Sequence, residues 1–416
     1  MKISIVLLSF AAALFGQTDP GPGNGPPPPV QPIRGVTSAE LQAFMQGLTT
    51  FTEIDNVANG LGPRFNLDSC AGCHAYPSVG GSSPPNNPQV SVAHKFGAAN
   101  QVPAFIQPNG PVRAVRFQRN ADGTPDGGVH NLFVITGRSD APNGCQIQQP
   151  DFSDTANLSF RIPTPLFGLG LMEAITDSAL QANFTATAAG RQSLGIGGQF
   201  NVSANDGTIT RFGWKAQNKS PLIFAGEAYN VEIGVTNDLF PQERDETPAC
   251  ASGLGEPEDH ANLISGTPSD ISMFTLFMRY LAPPPPPPPA SPGSVLFDST
   301  GCTMCHTPQM TTGNSESAAL ANQPVNLYSD LALHHMGQAL NDGITQGRAR
   351  GDQWRTAPLW GVSARIFLLH DGRTTDLLQA IQLHDSQGSE AHAVIQNFLA
   401  LSAAQQQSIV NFLRSL

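Results

Sequence analysis

Gly62-Pro-Arg-Phe-Asn-Leu-Asp-Ser-Cys-Ala-Gly-Cys-His74 decides how this chain is read, together with its shorter echo Gly301-Cys-Thr-Met-Cys-His306. Each ends in Cys-x-x-Cys-His. That spacing lets two thiols bond to the two vinyl positions of one haem while the adjoining imidazole turns back onto the iron. Cys70, Cys73 and His74 would therefore hold one covalently bound haem c, and Cys302, Cys305 and His306 a second. A lone Cys-x-x-Cys also serves as a redox pair or as half of a zinc site. Zinc, however, needs two further ligands at its own spacings, and a redox pair has no use for the following His.

The 416 residues include 41 Gly and 36 Pro, and only 13% are charged, so the chain is loop-rich and long enough for two or three domains. A formal net charge of −11 argues against a nucleic-acid partner and suits an encounter with a basic electron carrier. Residues 1–17 read as a secretory signal: Lys2 gives the positive start, and Ile3 to Phe15 is apolar apart from Ser4 and Ser9. The segment is too short to span a bilayer, and no later one is long enough. Export fits covalent haem attachment, so a periplasmic or secreted location is expected. Of the six cysteines, Cys145 and Cys250 remain after the haem thiols are assigned. In an oxidising compartment they are a candidate disulfide, with two unpaired buried thiols as the alternative.

Taken in order, residues 18–35 form a Pro- and Gly-rich stretch expected to be an extended, solvated tether. Thr37-Ser-Ala-Glu40 reads as a capping box, and Leu41, Phe44, Met45 and Leu48 recur at helical spacing, which predicts a helix beside the first haem. Strand-like runs at Val112 to Phe117 and Leu132 to Thr136 flank an Asp122-Gly123 turn. Residues 184–212, rich in Thr, Gly and Ser, are expected to form hairpins. A short apolar helix from Ile271 to Ala282 leads into seven prolines, Pro283 to Pro289, which act as a stiff spacer.

A domain boundary is therefore placed at 283–292, between a first haem domain at 36–282 and a second at 293–416. The last helix is signalled by Ser402-Ala-Ala-Gln405, with Ile409, Val410, Phe412 and Leu413 on one side. Thr164-Pro-Leu-Phe-Gly-Leu169 and Ala357-Pro-Leu-Trp-Gly-Val362 form a weak internal repeat, one copy downstream of each haem motif. The fold class expected is mainly α, two cytochrome c-like helical domains, the first enlarged by loops and short β-hairpins.

Ile54 to His74, with Trp354-Arg-Thr-Ala-Pro-Leu-Trp-Gly361 and Leu369-His-Asp-Gly-Arg373, resembles the di-haem oxidoreductase (thiol oxidoreductase-like) family, a branch of the bacterial di-haem cytochrome c peroxidases. The resemblance covers nearly the whole mature chain. It implies that electrons enter at the C-terminal haem, whose second axial ligand lies fourteen residues beyond the His of the His-Asp-Gly motif, here His384 counted from His370. Leu377, Ile381 and His384 fall on one helical face, which aims the imidazole inward. Met is common at that position in the family, so His would lower the potential. Met336 is the reserve ligand.

The resemblance further gives His370 a supporting role near the haem edge, places Trp214 between the haems, and sets Glu232, eighteen residues on, over the peroxidatic haem. There a carboxylate can take a proton from hydrogen peroxide and return it to the departing oxygen. His94, His130 and His260 are candidates to close the sixth position of the first haem. His334-His335-Met336 departs from the His-Asp-Met-Gly of the family, and neither His is given a ligand role. Arg355, Arg373 and Arg161 are candidate propionate partners. A calcium ion between domains is also implied, although the sequence has no dedicated acidic loop for one.

The function these residues imply is reduction of hydrogen peroxide or a related oxidant with electrons from a cytochrome or cupredoxin donor, relayed from the C-terminal to the N-terminal haem. The alternative is a non-catalytic di-haem electron-transfer cytochrome.

Overall fold

The computed structural model describes residues 17–23, 28–262, 264, 266–285 and 290–416, and there the chain is predominantly helical, with short β-hairpins set into long loops. Residues 1–16 of the expected signal, 24–27 of the tether and 286–289 of the proline run lie outside the described residues. Among those described, no helix is long and apolar enough to cross a membrane.

The helix Ser38–Phe51 begins at a reciprocal cap: the Thr37 hydroxyl accepts from Glu40 N–H, and the Glu40 carboxylate accepts from Thr37 N–H at 2.6 Å. Its buried residues are Phe44, Gly47 and Phe51, whereas Leu41 and Met45 of the expected stripe are 42% and 52% exposed. Gly47 decides the rotation. The helix Asp270–Tyr280 crosses so closely that a Cβ on Gly47 would run into Met273 O and lie 2.9 Å from Phe277 N. Phe44 and Phe51 close around the crossing on Phe277, with ring centroids 5.5 and 4.7 Å away.

The strands pair differently from the sequence expectation. Ala114–Phe117 turns back at Asp122-Gly123, but its partner is Val129–His130, with Leu158–Arg161 on its other side. Phe133–Val134 pairs instead with Arg64–Phe65, beside the first Cys-x-x-Cys-His motif. Residues 184–212 are not a set of hairpins. Helices Asp177–Ala186 and Ala188–Ser193 occupy the first part, and the strand-like pairing is limited to single bridges: Val202 to Ile209 within the stretch, Gln199 to Leu333, and Phe212 to Asn218. The physical reason is local: Thr176 caps the first helix, and the alanines that follow favour helix strongly.

In the second half, Ala403–Leu413 is capped by Ser402 and Gln405 and buries Ile409, Val410, Phe412 and Leu413. It lies on Pro292–Ser299, where a Cβ on Gly293 would collide with Ser408 O, and Phe297 meets Phe412 at 5.5 Å. The two repeat copies face each other. A Cβ on Gly168 would lie 2.7 Å from the Trp360 ring, and one on Gly361 would lie 4.0 Å from the Phe167 ring.

The halves also exchange chain. Met310, Leu320, Val325 and Leu327 belong to the apolar cluster of Phe44, Phe65 and Phe277. Asp19, in the stretch expected to be solvated, pairs with Arg414 at 2.7 Å and accepts from Leu377 N–H, nearly out of solvent.

Gly47→Ala should lower folding stability by about 1–3 kcal/mol, the usual cost of forcing atoms into a filled contact. A urea midpoint equal to that of the parent would show that the helix crossing has slack.

Candidate haem sites

Two large apolar cavities flank Trp214. The first, about 1100 Å³ with its mouth, is bordered by Cys70, Cys73, His74, Trp214, Tyr229 and Glu232. The second, about 1340 Å³, is bordered by Cys302, Cys305, His306, Trp214, His370 and His384. Both are lined mainly by apolar side chains with a few convergent polar groups, the kind of surround that a flat, largely apolar macrocycle needs.

The donors in each cavity suit haem c. Cys70, Cys73, Cys302 and Cys305 are free thiols, while Cys145 and Cys250 are joined as a disulfide with a Cα–Cα distance of 4.6 Å. Burial pushes all four free thiols up, Cys302 to about 11. His74 Nδ1–H donates to Gly81 O at 3.1 Å, and His306 Nδ1–H donates to Tyr328 O at 3.0 Å. A carbonyl can only accept, so each ring keeps its Nε2 lone pair available. Burial brings both imidazoles down to about 4, which favours the neutral form that binds iron.

Glu232 reaches the first cavity on a widened turn. The helix Pro221–Ala228, capped by Ser220, runs into a π turn, Tyr229–Ile233, which ends at Gly234 with φ 87°. Gly62 lies against that end: a Cβ there would sit 2.5 Å from Gly234 O. The strand and loop before Cys70 are thereby laid along the turn, and Asn66 contacts Glu232 through both its backbone and its side chain. Burial raises the Glu232 carboxyl, and Asn66, Arg116 and Arg244 pull the other way.

In the second cavity, His384 Nδ1–H donates to Ala380 O at 2.7 Å, which leaves its Nε2 free, and burial lowers its pKa. Met336 borders the same space. His370 stacks on Trp354 at 3.8 Å and meets the edge of Trp214 at 6.5 Å, forming a continuous aromatic row between the cavities. Trp214 itself is fixed by an Nε1–H bond to Ile162 O at 2.8 Å. Arg355 borders the second cavity, with its guanidinium on the carbonyls of Gly213 and Thr356 and no carboxylate partner among the described residues. Arg365 lies beside it with a buried, unpartnered Nε. Two buried cations without anions suit the propionate groups of a haem.

Several sequence candidates lie elsewhere. His94 and His260 are exposed, and His130 stacks on Phe117 and pairs with Asp126 at 2.7 Å, so none of the three borders the first cavity. Arg161 borders the first cavity but is paired with Asp342 at 2.8 Å, and Arg373 pairs with Asp371 away from both cavities. His334 has both ring nitrogens held by carboxylates, Asp330 at 2.9 Å and Glu390 at 2.8 Å, and His335 faces Asp352. Cys305, Asp330 and His334 are the one cluster of three ligating side chains among the described residues, and they are not the all-oxygen set that calcium takes.

Sequence reasoning missed Arg365, Asn66 and Lys215. The Lys215 ammonium is fully enclosed by the carbonyls of Arg350, Gly351 and Gln353 and by Asp342, 4.0 Å over the Trp354 ring. A lone Lys followed by Ala gives no sequence sign of this.

Behind Cys70, burial lifts Asp55 to about 7, helped by Glu53, Asp270, Asp68 and Asp259. The unfolded carboxyl ionises near 3.8, so between that pH and about 7 the folded chain holds the extra proton. Stability must then fall as pH rises through that window. Asp55→Asn should leave stability at pH 4 nearly unchanged and raise it at pH 8 by roughly 2–4 kcal/mol. Equal effects at both pH values in denaturant titrations would mean that Asp55 ionises normally.

The family model described as "Di-haem oxidoreductase, putative peroxidase" matches residues 115–253 and 289–416. Those stretches contain Trp214, Glu232, Cys302, Cys305, His306, His370 and His384, while the Cys70 to His74 motif precedes them. No curated protein matches the chain. Among solved structures, a hydrazine synthase chain from Kuenenia stuttgartiensis, studied under xenon pressure, aligns over 100% of both chains at 12% identity and a TM-score of 0.34, too loose a likeness to carry any argument. With well over half its length matched, the chain belongs to the di-haem oxidoreductase family, a family of peroxidase-like enzymes.

Proposed function

We propose that this is an exported, periplasmic or secreted di-haem peroxidase that reduces hydrogen peroxide, or a related oxidant, with electrons from a small cytochrome or cupredoxin. In this reading 36–282 and 293–416 are its two haem units, joined at 283–292. Cys70, Cys73 and His74 would hold one haem, on the side where peroxide is bound. Cys302, Cys305, His306 and His384 hold the one that receives electrons. The two haems supply the redox chemistry, two electrons and two protons converting one peroxide into two waters.

The observation that carries the reading is an asymmetry. Trp214 borders both cavities, Glu232 only the first and His384 only the second. A carboxylate is thus confined to one side, where a proton must move between two oxygens, and an extra imidazole to the other, where it would help to hold the second haem. Burial keeps the Glu232 carboxyl above its ordinary range, closer to the working pH of an acid-base group. The Trp214 ring, pinned at Nε1 and touching His370, offers the short aromatic bridge between the two sites.

The test is spectroscopic and kinetic. Glu232→Gln should slow peroxide turnover by about 10²–10⁴-fold while leaving the optical spectrum nearly intact. Turnover at the parental rate would remove Glu232 from the mechanism. His384→Ala should convert the C-terminal haem to high spin, and a spectrum that stays low spin would show another side chain on that iron. Two permanently low-spin haems in both the oxidised and the half-reduced parent would leave only an electron-transfer cytochrome.

A further inference from the structure

We infer that Asn66 is the positioning residue for Glu232: it fixes which carboxylate oxygen is committed to the protein and which is left for the substrate. The inference rests on the role proposed for Glu232 and deepens it. Asn66 is fully buried, four residues before Cys70, and its backbone N–H and both ends of its side-chain amide are engaged. Its N–H donates to Glu232 O at 2.7 Å, its Nδ2–H donates to Glu232 Oε2 at 2.6 Å, and its Oδ1 accepts from Leu132 N–H at 2.8 Å. The Oδ1 contact fixes the orientation of the amide, because only the carbonyl end can accept from Leu132. The donor end must then face Glu232.

Oε2 of Glu232 is therefore spoken for. Oε1 has no hydrogen-bond partner among the described residues, and the residue borders the first cavity, so Oε1 is the oxygen available there. The surrounding chain reinforces the geometry. The Asn131 amide donates to Val231 O at 2.8 Å, and the close approach of Gly62 to Gly234 holds the strand against the turn. A carboxylate that shuttles one proton between two oxygens of a small substrate must not rotate, since misplacement by about 1 Å can cost ~10²-fold in rate. A π turn is a wide and weakly constrained element, and Asn66 ties it at two points within a single residue.

The charged groups acting on Glu232 are Arg116 and Arg244, which favour its ionised form, and Glu227, which opposes it. None of them makes a direct hydrogen bond to it among the described residues. Among the described residues the neutral amide of Asn66 is the sole direct partner of its carboxylate, and it favours the ionised form as well.

Two substitutions separate the possibilities. Asn66→Asp keeps an acceptor for Leu132 N–H but replaces the donor facing Glu232 with a carboxylate. Asn66→Ala removes both side-chain contacts. The protonation midpoint of Glu232 is read by infrared titration of the carboxyl C=O band that Glu232→Gln abolishes, on holoprotein without peroxide. The midpoint should rise by about one pH unit or more in both variants, and the acid limb of the peroxide rate should move with it. The rate itself should fall by ~10-fold or more. If Asn66→Ala does not fold, Asn66→Asp alone decides. An unmoved midpoint in a folded variant overturns the inference. The band shifts without regard to turnover, so a moved midpoint combined with full peroxide activity in Glu232→Gln would uphold the Asn66 contact and reject the peroxidase role.

Discussion

The enclosed ammonium of Lys215 is the point on which the arrangement of the two sites depends. It ties the residue after Trp214 to the carbonyls of Arg350, Gly351 and Gln353, and two further bonds run alongside: Arg355 N–H to Trp214 O, and Arg355 Nε–H to Gly213 O. A segment from the first half is thereby bolted to the strand that carries Trp354 and Arg355 in the second. Burying an ammonium is costly unless every proton finds an acceptor, and here three carbonyls and Asp342 supply them. Burial still drags Lys215 down to about 8 despite Asp342. The indole shared by both cavities is therefore held by electrostatics on one side and by aromatic contact with His370 on the other.

From this pivot the two cavities diverge. On the side of Cys70 the chain uses backbone proximity, with glycines at 62 and 234 allowing a loop to lie on a π turn and carry an amide to Glu232. On the side of Cys302 it uses helices, Pro292–Ser299 and Ala403–Leu413, whose Phe297 and Phe412 pack toward His306. The first construction sets a carboxylate and its amide partner into an apolar wall, and the second sets imidazoles and guanidinium groups without carboxylate partners among the described residues.

How much of this was legible in the sequence differs from element to element. The two Cys-x-x-Cys-His motifs and the Thr37 and Ser402 caps are local signals, because each works within a few residues. The buried face of Ser38–Phe51 was half legible: Phe44 and Leu48 of the expected stripe pack on the core, but Leu41 and Met45 do not, and the crossing helix at Gly47 turns Phe51 inward. The Thr176 cap and five alanines signal the helices at 177–193 locally, a signal masked when 184–212, with its many Thr, Gly and Ser, is taken as one stretch. The Asn66 contact to Glu232 spans 166 residues, and the unpaired Nε of Arg365 depends on what surrounds it, so no local pattern could announce either. His94, His130 and His260 show the converse. They are chemically competent residues that the fold leaves outside the cavity walls.

The pairing of Asp19 with Arg414 has a consequence for anyone wishing to cut this protein in two. A fragment beginning after the proline run would retain Arg414, whose remaining hydrogen bonds are to the carbonyls of Val362, Arg365 and Thr375, but would lose the carboxylate that neutralises it. An isolated guanidinium in that pocket is a burden of about 3–5 kcal/mol, and a fragment of this size has little stability to spare. The two halves of the chain are thus not interchangeable modules on a string, because each carries a piece of chain that the other needs in order to close.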